Sequence, residues 1–351
     1  MVADAGRTLT PDQRASILSA FRVLGLPLYL RLAFEEARQW RSYDGVPALS
    51  EDVPGVLRDF LSRLSHPAAH GEVLVRRTLG YLGAARNGLA DAEMLEVLSR
   101  DEVVMADVQR SPNHPATDAL PPVVWSRLYF DLEPYLIERR ADRTSLLGFY
   151  HRQFAEVVAG DYVQGEAATD LHRLADYFGA QANHLNYRKA SELVTQEIGG
   201  QVWDRLEARL TDLTFLEMKA EAGMVFDPGA DFSAACAALP HRNLRLLGQA
   251  LRGDLHFLAR HPTTVFQCLW NRAWWYDCPD AAKHCDPPEG GWGPDGPPWN
   301  RPEPKLSTLL DHWRQEKESC QPGFAWVRSL RPPRLPLGGR KCSACEATRT
   351  R

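Results

Sequence analysis

Only a few side chains in this sequence stand where they could do chemistry. His151 sits in Phe149-Tyr150-His151-Arg152-Gln153-Phe154, at the start of an expected helix. There the unpaired backbone N–H groups and the helix dipole favour an anion. An imidazole at that point can donate to a phosphate or simply cap and pack the helix start, and the spacing alone favours the second. Cys342-Ser-Ala-Cys345 has the spacing of a zinc-ligand pair, and Cys278, His284 and Cys285 could supply further ligands, although a second close pair at matched spacing is missing. The run Gly25-Leu26-Pro27-Leu28 reads by itself as a tight turn between two helices, with Pro27 opening the second.

The frames that usually carry catalysis are missing. No Gly-Lys pair occurs, so there is no G-x-x-x-x-G-K-[ST] loop (Walker A). No apolar strand ends in paired acids that could hold Mg²⁺ (Walker B). Neither a Gly-x-Ser-x-Gly elbow nor a His-Glu-x-x-His helix is found. The chain alone is expected not to be an enzyme.

The elements that must position these residues are mostly helical. Thr10-Pro11-Asp12-Gln13 forms a capping box, Ile17, Leu18, Phe21 and Leu24 follow at helical spacing, and Gly25 is placed for a left-handed C-cap. A second helix presents Leu28, Leu32 and Phe34, and a third spans 52–65. Helices at 71–84, 91–99 and 122–135, a loop at 110–121 and two short strands within 136–150 spell a winged helix, with a further helix over 151–163. Residues 168–276 read as almost wholly helical, and Phe266, Trp270 and Trp274 form a stripe that belongs in a core. Beyond Asp277 the composition shifts: twelve of the 25 prolines lie between Pro279 and Pro336, around one short helix near 305–319. Trp292 and Trp299 are expected to pack across onto the helical arm or, in an intact homologue, onto the propeller, and the basic stretch from Arg328 is expected to be poorly ordered. The expected divisions are 1–45, a small helical lid; 46–165, the winged helix; 166–276, a helical arm; and 277–351, a connector with a basic tail. The fold class is mainly α with one small β-hairpin.

Bulk numbers set limits. A length of 351 residues suggests two or three units. With 41 basic and 45 acidic side chains the formal charge is −4, which fits neither a disordered chain nor a strongly basic nucleic-acid binder. No run of about 18 apolar residues and no secretory start is present, so no membrane partner is expected and the cytoplasm is the default compartment. Seven cysteines, clustered late, are expected to be reduced thiols.

Gly25-Leu26-Pro27-Leu28, the three helices and wing, and then Tyr150-His151-Arg152-Gln153-Phe154 together resemble the distal half of STAND-class NTPases, the NACHT and NB-ARC relatives. The stretches Leu213-Thr-Phe-Leu-Glu-Met-Lys, His256-Phe-Leu-Ala-Arg-His-Pro, Trp274-Trp-Tyr-Asp-Cys-Pro and Pro322-Gly-Phe-Ala-Trp-Val-Arg resemble the helical arm that leads to a WD-repeat propeller in large bacterial members. The resemblance covers about residues 1–336. It implies that Pro27 touches the adenine and His151 senses the β-phosphate of ADP. Tyr150 and Arg152 stand where many members have Met and Asp. It implies partners in other protein domains, a P-loop NTPase module and a propeller, and ADP or ATP bound only with the P-loop module, none by this chain alone. It further implies a non-catalytic regulatory and scaffold segment, the middle piece of a split gene.

Two other readings compete. A winged-helix DNA-binding regulator would display Lys/Arg or Asn/Gln on its reading helix, yet 91–99 and 122–135 carry Asp91, Glu93, Glu96, Asp131 and Glu133, so nucleic acid is not the expected partner. A zinc-binding protein would rest on the Cys342–Cys345 tail.

Overall fold

The computed structural model describes residues 8–41, 49–110, 117–162, 167–182, 186–287 and 291–339. Among these the chain is mainly α-helical with one two-stranded antiparallel hairpin. It divides between Tyr177 and Phe178 into two compact units.

The first unit holds α1 (Pro11–Leu24), α2 (Pro27–Ala37), α3 (Val53–Leu64), α4 (Glu72–Ala84), α5 (Asp91–Arg100), α6 (Glu102–Arg110), α7 (Pro122–Leu132), β1 (Leu136–Ala141), β2 (Thr144–Phe149), α8 (Arg152–Val157) and the start of α9 (Ala167–Ala180). Thr10 Oγ1 accepts the Gln13 N–H at 3.3 Å and Gln13 Oε1 accepts the Thr10 N–H at 3.1 Å, which is the expected capping box. Gly25 ends α1 at φ 64°, donating its N–H to Phe21 O at 2.7 Å. A side chain there would pay the left-handed penalty that glycine avoids. The buried face of α2 is Tyr29, Leu32, Ala33 and Ala37 rather than the expected Leu28, Leu32 and Phe34. Tyr29 wins the inward position because its hydroxyl, while the ring is buried, can donate to Ser50 O at 2.8 Å.

Helix α6 departs from the pattern read along the sequence, so four helices (α4–α7) instead of three lie between residues 71 and 135 ahead of the hairpin. Its start is set by Asp101, whose Oδ1 accepts from Val103 N–H at 2.9 Å and Val104 N–H at 3.4 Å. Asp101 Oδ2 also accepts from the Tyr81 hydroxyl at 2.5 Å. Arg77 joins Asp101 at 3.3 Å to Asp170 at 3.0 Å, so a buried ionic cluster ties α9 to α4. The hairpin pairs Leu136 with Phe149 through to Ala141 with Thr144. Its two-residue turn, Asp142 and Arg143, has φ of 49° and 63°, the twist a type I′ hairpin needs. Leu147 bonds back to Leu89 as well, at 3.1 and 2.8 Å. Gly88 makes that approach possible, since a Cβ there would lie 2.1 Å from Leu147 O.

The second unit holds α10 (Tyr187–Gly199), α11 (Trp203–Leu210), α12 (Leu213–Glu221), α13 (Asp227–Ala238), α14 (Arg242–Leu258), α15 (Val265–Ala273) and α16 (Leu306–Cys320). The expected aromatic stripe is core: Phe266, Trp270 and Trp274 are buried, with successive ring centroids 5.8 and 5.7 Å apart. Trp326 completes it at 5.1 Å from both Phe266 and Trp270. The segment carrying Trp326 is held by α15: Gln267 Oε1 accepts the Val327 N–H at 2.9 Å, and Asn271 bonds Val327 O at 2.8 Å and Ser329 N–H at 2.7 Å.

One expectation about the connector is corrected. The stretch from Arg328 to Gly339 is anchored, with Arg328 4.7 Å above the Trp274 ring and Leu337 buried. Cation–π contact and side-chain capture of the backbone replace the apolar periodicity that the stretch lacks. Trp292 and Trp299 pack on each other, centroids 5.2 Å apart. The remaining tail, including Cys342 and Cys345, lies outside the described residues.

Candidate functional site

The Gly25-Leu26-Pro27-Leu28 corner and the end of the hairpin meet at one small cleft of the first unit. Leu28, Arg31, Leu32 and Glu35 of α2 form one wall, Tyr150 and His151 face them, and Leu57, Pro134, Tyr135 and Phe154 line the rest. Each wall is fixed locally. Pro27 at the first helical position presets the α2 backbone, and the buried Tyr29–Leu32–Ala33–Ala37 face turns the 28–31–35 side outward. The aromatic residues of the lining, Tyr135 and Phe154, lie 5.6 Å apart and are backed by Phe60, stacked on Tyr135 at 4.1 Å, and by Phe149, edge-on to Phe154 at 5.2 Å. Tyr150 N–H donates to Tyr135 O at 2.9 Å, which pins the end of the hairpin to that lining.

His151 is the N-cap of α8, its Nδ1 accepting the Gln153 N–H at 3.2 Å. This assigns the neutral ring's proton to Nε2, which makes no hydrogen bond to the described residues. Arg31 donates to Pro134 O at 3.1 Å and holds its guanidinium carbon 4.5 Å above the Tyr150 ring. The opposing carboxylate, Glu35, is engaged by Arg38 at 2.8 Å. Burial pushes the Tyr135 phenol above its ordinary range, so it carries no charge at neutral pH. The cleft is thus almost wholly apolar in its accessible surface, with Arg31 and His151 carrying the N–H groups of its walls. Its volume is about 20 Å³, room for about one water molecule.

Of the two residues singled out in the sequence, His151 lines the cleft, and Pro27 is exposed beside it, one position before Leu28. Arg31, Glu35 and Tyr150 were not foreseen. A helical count from Leu28 to Arg31, Leu32 and Glu35 would have found the α2 members. Arg31's partner across the cleft is over a hundred positions away, and local pattern cannot show that.

Four of the five acidic residues that count against a DNA-reading helix have structural partners. Asp91 accepts from Trp125 Nε1 at 2.6 Å, Glu93 from the Ala90 N–H at 2.9 Å, Glu96 from the Tyr177 hydroxyl at 2.9 Å, and Asp131 pairs with His70 at 2.8 Å. Among the described residues no group of three or more His, Cys, Asp or Glu side chains could hold a metal ion. No helix among them is long and apolar enough to cross a membrane.

Comparison with known proteins places this geometry in context. The chain is 39% identical over 181 residues to human NACHT domain- and WD repeat-containing protein 1, a match spanning 51% of this chain and 11% of the relative. It is 32% identical over 178 residues to mouse NACHT and WD repeat domain-containing protein 2, spanning 49% and 10%. Half of this chain is homologous to part of the NACHT and WD-repeat proteins. It spans about a tenth of the length of these curated relatives. No family model and no solved structure matches it.

Proposed function

We propose that this chain is a non-catalytic regulatory and scaffold segment of a STAND-type NTPase, acting as a latch over a nucleotide held mainly by a P-loop module and linking that module to a WD-repeat sensor. The observation that carries this reading is the cleft shared by the α1–α2 corner and the hairpin end. Arg31 and His151 in its walls carry the kind of N–H groups that take a phosphate oxygen, and exposed Pro27 stands next to Leu28 of the same wall. At about 20 Å³ it has room for about one water-sized group such as a single phosphate oxygen, so a nucleotide touching it would be held mainly by a second module.

Such a latch works by difference. Nucleotide favours the closed arrangement only by the extra affinity it has for that arrangement over the open one. Two charge-assisted or neutral N–H donors together offer roughly 2–4 kcal/mol. That is enough to shift a population about thirtyfold to nearly a thousandfold.

The test mixes the full chain with a separately purified NACHT module from the human relative, loaded with fluorescent ADP, and follows release. The chain should slow release by about tenfold or more, and His151→Ala or Arg31→Ala should remove most of that effect. Release that is the same with and without the chain overturns the reading.

A further inference from the structure

Arg245, Arg252, His256 and Arg260 stand exposed along one side of α14 and the turn that follows it. Their intervals of seven, four and four residues return each to nearly the same azimuth. At 1.5 Å per residue the row is about 22 Å long. The polar contacts that Arg252 and Arg260 make are with neutral oxygens: Arg252 with Ser233 Oγ at 3.1 Å, and Arg260 with His256 O at 3.4 Å. No carboxylate among the described residues pairs with any member of the row. Elsewhere in this unit arginines are met by acids: Arg188 by Glu192 at 3.2 Å, Arg209 by Glu197 at 3.6 Å, Arg314 by Asp311 at 3.9 Å. The acidic residue on α14 itself, Asp254, is taken by Arg272 at 2.5 Å.

Beside the row lies a shelf. Helix α13 packs along α14 and exposes Ala230, Ser233, Ala234, Ala237 and Ala238, side chains too short to keep another backbone away. The reach of Arg252 to Ser233 shows that the cations border this shelf. A run of charges is most often a solvated face. Here, however, the acids that would balance it are absent from both helices' outer faces in a chain of net charge −4. Alanines give phosphates no donors and bases no ring to stack on, and the exposed aromatic Phe257 is already partnered by His261 at 4.6 Å. A helix with carboxylates along one edge and small apolar side chains beneath answers both features together.

We propose that the α13–α14 face binds an acidic amphipathic helix, with its carboxylates on the Arg245–Arg260 row and its small residues on the alanine shelf. The site lies in the second unit and needs no nucleotide, so it stands or falls separately from the latch.

The probe is a fluorescein-labelled synthetic helix with glutamates at the matching spacing and alanines beside them, titrated with the full chain by anisotropy. Binding in the micromolar range is expected, weakening at least tenfold in R245E/R252E/R260E and on raising salt from about 50 to about 300 mM. The lysine triple variant should bind within about threefold of the parent, because it keeps the charges. All three positions are exposed, and an unchanged circular-dichroism melt confirms the fold of each variant. No binding at about 100 μM, where even a weak complex is populated, overturns the proposal. So does binding that survives charge reversal, or tighter binding of a DNA oligonucleotide to the same arginines.

Discussion

Arg31 lies over the ring of Tyr150, guanidinium carbon to ring centroid 4.5 Å, and so joins the first helical corner to the end of the hairpin. The same group donates to Pro134 O at 3.1 Å, so one side chain spans the cleft it lines.

Replacing Arg31 by alanine should therefore cost roughly 1–2 kcal/mol of stability, the sum of a cation–π contact and one net hydrogen bond. Arg31→Lys should recover only part, because an ammonium lacks the planar fork that both stacks and donates. Urea denaturation followed by tryptophan fluorescence measures both. An R31A midpoint equal to the parent's would mean that the two walls are held by other contacts.

Asp277 gives a sharper prediction. It is fully buried, and its two carboxylate oxygens accept the N–H groups of Leu306 and Ser307, each at 2.8 Å, at the start of α16. The side chain caps a helix that begins 29 residues later in the chain. Asp277→Ala strands two buried donors and should lower stability by about 3 kcal/mol. Asp277→Asn keeps one acceptor and should lose less. Hydrogen exchange at the first turn of α16 should accelerate in D277A before the rest of the unit responds.

Glu197 should make stability depend on pH in an unusual direction. It is 1% exposed, its Oε2 has no hydrogen-bond partner, and Arg209 at 3.6 Å from Oε1 is too far to bond it. Burial pushes its carboxyl up to about 7, and Arg209 only partly opposes this. An acid whose folded value is raised contributes stability that is complete below its unfolded value, near 4.5, and is lost as pH rises through about 7. Glu197→Gln removes that loss, by up to the order of 3 kcal/mol at pH of about 8. The difference in unfolding free energy between E197Q and the parent, measured from pH of about 5 to about 8, should grow with pH; a flat difference defeats the prediction.

Much of the first unit was readable because its signals are local. The Thr10–Gln13 box, the Gly25 cap, Pro27 at a helix start and the two short strands within 136–150 all act over a few residues. Helix α6 was not readable, since only Val104 and Met105 of it are buried and its cap, Asp101, serves equally as the acceptor of a distant tyrosine. His151 could be placed at a helix start, but which ring nitrogen caps it, and which is left over, follows from coordinates alone. Pro27 was placed at its corner, yet the count to Arg31 carried no meaning until Tyr150 stood opposite.

By itself the sequence determined that this is a mainly helical chain with one hairpin, where α1 stops and α2 starts, and which aromatic stripe goes inside, because periodicity and capping are written over single turns. Only the tertiary structure decided which polar groups meet: Asp277 with the start of α16, Asp170 with Arg77, Arg31 with the Tyr150 ring, and the α14 row with no acid among the described residues. Those pairings depend on how remote helices pack, and an ion pair's partner is chosen by distance in space, which the spacing of residues along a chain does not encode.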